Sequence, residues 1–214
     1  MTKLFCLTLA AIGAAAAAQG ATYTERSAFE AATVASYVEG FQSLSTDIIG
    51  FDGPALMPSG LLVYSESGRL FVAKPGQSTN PTTALGSNLP VQDSLYLDLG
   101  GDFSAFGADI FQNFGSGSQA EDSIYYTIET FLDERFVESV AGLIGPDGGG
   151  FLGLTSTNLF DRVRVFASVT DAYEVVDNVT VGTLGVAPVP LPAGLPLLVA
   201  ALGTLGVLRR RARL

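Results

Sequence analysis

Apolar and polar residues alternate over much of the middle of this chain. Leu95, Leu97 and Leu99 alternate over residues 94–99, Phe106, Ala108 and Ile110 over 105–111, and Ile124, Tyr126 and Ile128 over 123–131. A period of two places each set on one face of a β-strand. Runs at 36–41, 61–65, 70–73, 136–143, 151–155, 163–167 and 175–181 extend the set, with turn residues between them. Glu66-Ser67-Gly68 predicts a hairpin turn joining 61–65 to 70–73. Residues 50–60 hold three glycines and two prolines and predict a loop, as does the polar stretch 74–90, with one short strand near Leu85. The best helical signal spans 24–33. There Ser27 and Glu30 have the spacing of a capping box, and Phe29 would pack the helix on the core. No helices alternate with the strands, so the pattern predicts a mainly β fold. It is a single antiparallel β-sandwich, jelly-roll-like, with a short N-terminal helix.

Both ends break this pattern. Met1-Thr2-Lys3 precedes an apolar run from Leu4 to Ala18, and Ala18-Gln19-Gly20 carries small residues at the positions a signal peptidase reads. This predicts a secretory signal helix over 1–20. At the other end, 191–208 is uncharged and is followed by Arg209, Arg210, Arg211 and Arg213. As a helix it would reach roughly 27 Å, close to the ~30 Å hydrocarbon core of a bilayer. The arginines orient such a transmembrane helix with its C-terminus in the cytoplasm. The two ends together place residues 21–187 outside, as one exported domain.

The tail also has a recognisable order. Val189, Pro190, Leu191, Pro192 and Ala193 form a proline motif, the apolar segment follows, and the arginine block closes it. This resembles the VPLPA variant of the PEP-CTERM sorting signal. The resemblance covers 188–214 and implies an envelope protein of a Gram-negative bacterium. Its partner would be an exosortase, a membrane-embedded cysteine transpeptidase that recognises the motif and removes the apolar tail. Such cargo is associated with exopolysaccharide and biofilm matrix. The implied role is therefore a structural or adhesive surface protein with a transient inner-membrane anchor, and not an enzyme. Within the body, Val38-Glu39-Gly40-Phe41 and Val176-Asp177-Asn178-Val179-Thr180-Val181 are similar to the first and last strands of exported β-jelly-rolls, carbohydrate-binding modules among them. That resemblance adds a polysaccharide as a further candidate partner.

Charge narrows the chemistry. All 21 acidic residues lie in 21–187, with six basic ones: Arg26, Arg69, Lys74, Arg135, Arg162 and Arg164. The body's formal charge is 6 − 21 = −15, which repels nucleic acid and anionic lipid. The chain has no histidine, and its one cysteine, Cys6, lies in the predicted signal. Disulfides, histidine-based catalysis and His/Cys metal sites are therefore excluded from the body.

Glu39 and Asp177, with Asn178, are the candidate metal ligands. If the first and last strands lie side by side, their oxygens could hold a structural Ca²⁺; the competing expectation is that they face solvent or bond to backbone amides. Asp133-Glu134, Glu121-Asp122 and Asp161 could supply a glycosidase pair, although nothing in the sequence ties two of them together. Gly148-Gly149-Gly150-Phe151-Leu152-Gly153 matches G-x-G-x-x-G, but a strand rather than a helix is predicted after it. Tyr96, Tyr125, Tyr126 and Tyr173 could meet sugar rings or pack the core, and Tyr125 and Tyr126 must point to opposite faces of a strand.

Overall fold

Two strands longer than any predicted run organise the fold. Leu95–Phe114 joins two expected strands into one, β8, and Gly150–Ala167 does the same in β11. The computed structural model describes residues 20–44, 50–76, 80–87, 93–114, 123–145, 149–169 and 172–185. The expected signal helix, proline motif, apolar tail and arginine block lie outside them. Among the described residues no helix is long and apolar enough to cross a membrane.

The remaining elements are β1 (Ala21–Tyr23), α1 (Arg26–Ala32), β2 (Thr33–Glu39), β3 (Gly50–Asp52), β4 (Ala55–Leu56), β5 (Leu62–Ser65), β6 (Arg69–Ala73), β7 (Ala84–Ser87), β9 (Ile124–Leu132), β10 (Arg135–Ile144) and β12 (Ala172–Leu184). Every pairing is antiparallel. The first half of β8 and the second half of β11 lie in one layer, ordered β4-β5-β8-β11-β9-β10. Their other halves lie in a second layer, where β1 flanks β11 and β8 pairs with β12. The far edge of β12 takes both β2 and β7, and β6 and β3 follow β7.

The switch between layers occurs where the β8–β11 register shifts, between Thr155 and Phe160 and again before Arg162. Gly100 sits opposite this region with φ +75°, a conformation that favours glycine. Irregularities of this kind bend long strands around the corner of a sandwich. Leu97, Val163, Val165, Tyr126 and Ile128 of the first layer then meet Phe106, Ile110, Leu152, Val176 and Val181 of the second in one buried cluster. The mainly β antiparallel sandwich expected from the alternation is therefore the observed fold.

The outer faces of the two layers differ. Part of the second is covered by α1. Phe29 of α1 is fully buried and packs with Ala105 and Phe151. Gly107 and Gly153 lie directly beneath, and a Cβ at either would press on the Phe29 and Phe151 rings. Arg26 fastens the same helix, donating to Asp109 Oδ1, Thr180 Oγ1 and the Asn178 carbonyl at 3.0–3.2 Å. Its guanidinium also lies over Phe151.

Three expectations are corrected here. The helix begins at Arg26 with Glu25 as its N-cap, and no side chain caps it. Ser27 lies inside the first turn, so there is no capping box. The Arg26 anchor sets the start, and Glu30 reaches that arginine at 3.7 Å. The turn at Glu66–Gly68 forms, with Gly68 N–H donating to the Ser65 carbonyl, but β5 and β6 are not a paired hairpin. β5 joins β8 and β6 joins β7, because the core draws them into different layers. The expected loop at 50–60 also contains β3 and β4.

Candidate ligand-binding face

Among the described residues no helix covers the outer face of the first layer, which is rich in aromatic residues. Alternation decides this: Leu95, Leu97, Val163, Val165, Ile128 and Thr130 point inward and are buried, so their neighbours point out. Strand register arranges the outward residues in rows. One row runs Tyr64–Tyr96–Arg164–Glu129 across β5, β8, β11 and β9. The next, two residues along, runs Leu62–Asp98–Arg162–Phe131 and continues to Phe136 of β10. On the other side lie Phe166 and Thr127, then Tyr125 beside Leu143. Six aromatic side chains thus share one outer sheet face. Tyr125 and Phe136 are more than half exposed.

Arg164 is the hub. Its Nε donates to Ser94 Oγ at 2.9 Å, and its terminal nitrogens approach Glu129 at 3.4 Å and Glu66 at 3.7 Å. The guanidinium lies 4.7 Å from the Phe166 ring centroid and 5.7 Å from that of Tyr96. Tyr96 in turn stacks on Tyr64, with centroids 5.2 Å apart and planes within 7°. The row is thus a ladder of flat groups standing on the sheet, stabilised by stacking and cation–π attraction. Beside it, Arg162 pairs with Asp98 at 2.5 Å, which holds the guanidinium pKa up. Burial, and then the Asp98 carboxylate, raise the pKa of the Tyr64 phenol.

A cleft of about 410 Å³ opens at one end of this face, lined by Glu66, Asp93, Ser94, Arg164, Phe166, Ala167 and Ser168. Asp93 is buried, and its carboxylate accepts from Ser67 N–H, Ser67 Oγ and Ser94 N–H at 2.7–3.0 Å. It therefore holds the rim together. Behind the cleft floor Glu174 is almost wholly buried and accepts from Ser87 Oγ at 2.6 Å and Ala167 N–H at 3.1 Å. Burial outweighs these hydrogen bonds and pushes its pKa up to about 7.

The calcium candidates occupy a different region. β2 and β12 do lie side by side, with Glu39 opposite Val179. Glu39 accepts from Phe41 N–H and Ser59 Oγ. Asp177 accepts from Asn178 N–H and from Thr82 Oγ1. Asn178, at φ +47°, donates its side-chain N–H to Asp109. The acidic groups thus bond to separate protein donors. Among the described residues no three His, Cys, Asp or Glu side chains converge as a metal site would require.

The other candidates resolve into structural elements. Asp133 and Glu134 both have positive φ and form the two-residue turn of the β9–β10 hairpin. Asp133 N–H bonds to Asp161, and Glu121 and Asp122 lie outside the described residues. Gly150 to Gly153 lie within β11, and Gly148 lies outside the described residues. Tyr126 is buried in the core, and Tyr173 packs edge-on against Phe71. Sequence reasoning selected Tyr96 and Tyr125 but missed Tyr64, Phe131, Phe136, Arg164 and Phe166. A signal existed for Phe131 and Phe166: they occupy the polar phase of their strands, with Thr127 and Glu129 and with Arg162 and Arg164, where aromatic side chains are out of place.

No protein-family description matches the chain, and no curated protein matches it. Solved structures do. The CBM22-1 xylan-binding domain of Paenibacillus barcinonensis Xyn10C is 12% identical over 73% of this chain and 98% of its own, with a TM-score of 0.43. The CBM22-1 and GH10 modules of Clostridium thermocellum endo-1,4-beta-D-xylanase 10B, complexed with xylohexaose, are 13% identical over 71% of this chain, with a TM-score of 0.42. This chain spans only 29% of that one. The family 32 carbohydrate-binding module of C. perfringens NanJ, in complex with galactose, is 9% identical over 61% of this chain and 98% of its own, at 0.38. At these scores no residue role carries over from them to this chain.

Proposed function

We propose that this chain is an exported, non-catalytic glycan-binding protein whose first-layer outer face is the binding surface. The observation that carries this is the aromatic outer face with Arg164 at its centre and a cleft at its end. Sugar rings present apolar C–H faces and many hydroxyls, so they suit aromatic surface interleaved with charged donors and acceptors. A catalytic role is less well supported. Glycoside hydrolysis needs two available carboxylates across a cleft. Here Asp93 is engaged by three donors, while Glu66 and Glu129 both face Arg164. The test is electrophoresis of the full chain in mild detergent through gels containing dissolved polysaccharides. Retardation by at least one of them is expected. It should be lost in a Tyr64→Ala/Tyr96→Ala variant that keeps its β-sheet circular dichroism. Unchanged mobility in every polysaccharide would refute the reading.

The same proposal gives residues 189–193 and the arginine block the role of an address. An exosortase would remove the tail after signal peptidase has cut the front, leaving the glycan-binding body at the cell surface or in the matrix. The intact mass of the protein recovered from the envelope tests this. Loss of both ends is expected, and an uncut C-terminus in the inner membrane would leave a plain tail anchor.

A further inference from the structure

We infer that the face is built for uncharged glycans, with Glu66 and Glu129 as the residues that exclude anionic ones. The inference rests on the glycan-binding reading of this face and adds the class of glycan. An acidic polysaccharide would need free guanidinium groups, since Arg–carboxylate pairing is its natural mode of capture. Both arginines of the face are already engaged. Arg162 pairs with Asp98, and Arg164 lies between Glu129 and Glu66. Counting Asp93 at the rim, two positive groups face four negative ones. The surrounding body carries a formal charge of −15, so the long-range field opposes a polyanion as well. Uncharged hydroxyl groups meet no such barrier. The carboxylates and the residual guanidinium N–H groups give them both acceptors and donors.

The contacts around Arg164 are also loose. At 3.4 and 3.7 Å, neither carboxylate holds the guanidinium in a close bidentate pair. Their effect is to neutralise the cation while leaving its N–H edge within reach of a ligand. Glu66 is more than half exposed and Glu129 about a quarter, so both can be changed without opening the core.

The experiment compares uncharged polysaccharides (xylan, galactan, glucomannan, dextran) with uronate polymers (alginate, polygalacturonate) against the full chain, at 20 mM and 500 mM NaCl. Retardation by at least one uncharged polymer is expected, with an apparent affinity that changes less than about twofold between the two salts. No retardation by either uronate is expected. The Glu66→Gln/Glu129→Gln variant is expected to gain uronate binding, and that gain should disappear at 500 mM NaCl. Uronate binding by the unaltered chain would overturn this inference and leave the glycan-binding reading standing. Failure of the double variant to gain any would overturn the role given to the two carboxylates. Absence of binding to every polymer would overturn both.

Discussion

Arg164 carries more of the surface than any other side chain. It touches two aromatic rings, two carboxylates and a serine from three strands and the loop ends beside them. Arg164→Ala should lower glycan affinity by at least about tenfold, or about 1.4 kcal/mol, and Arg164→Lys should not restore it, since an ammonium cannot stack flat between rings. Calorimetric titration against the retarding polysaccharide measures both. Glu174 makes a different prediction. Its folded pKa of about 7 lies above the ordinary 4.5, so the folded protein holds that proton more tightly than the unfolded chain. The resulting stability is fully present below pH 4.5 and declines as pH rises to about 7. The loss is on the order of 3 kcal/mol. Urea melts from pH 4.5 to 8 should show the decline, and Glu174→Gln should flatten it. Neither residue was legible as special. Arg164 stands in an ordinary alternating run and Glu174 just before another, and only pairing register reveals what lies beside them.

Among the elements, β-strands with one wet face were the most legible, because alternation specifies burial directly. The layer switch was not. Residues 100–104 and 156–161 interrupt the alternation and look like turns, yet the chain continues as one bent strand through each. Continuity there depends on partners distant in sequence. The helix was predicted in place but for the wrong reason, since tertiary anchoring by Arg26 replaces the expected cap. Phe29→Ala should therefore cost about 3–5 kcal/mol. It removes the one buried side chain of α1, which lies over glycines that leave space for that ring. Thermal melts measure this, and a shift no larger than that of an exposed Phe136→Ala would contradict the roofing role. The aromatic face was half legible. Tyr96 and Tyr125 stood out, whereas it is the pairing register that brings the phenylalanines onto the same face.

At the scale of the molecule, the two outer faces differ. One carries α1 over Ala105 and Phe151, and the other carries six aromatic side chains, of which Tyr125 and Phe136 are more than half exposed. All described residues nonetheless belong to one compact unit. The strands that bend through both layers give this unit a specific character. Because β8 and β11 each contribute hydrogen bonds to both sheets, neither sheet can separate without tearing the backbone ladder of the other. Sandwiches whose sheets are joined only by loops can open as two sub-global units. Here amide protons of Val163–Val165 and of Phe106–Ala108 should exchange with deuterium through a common opening, at matching free energies and with matching denaturant slopes. The aromatic face of the first layer then shares the protection of the second layer, and its strands open only when the whole domain unfolds.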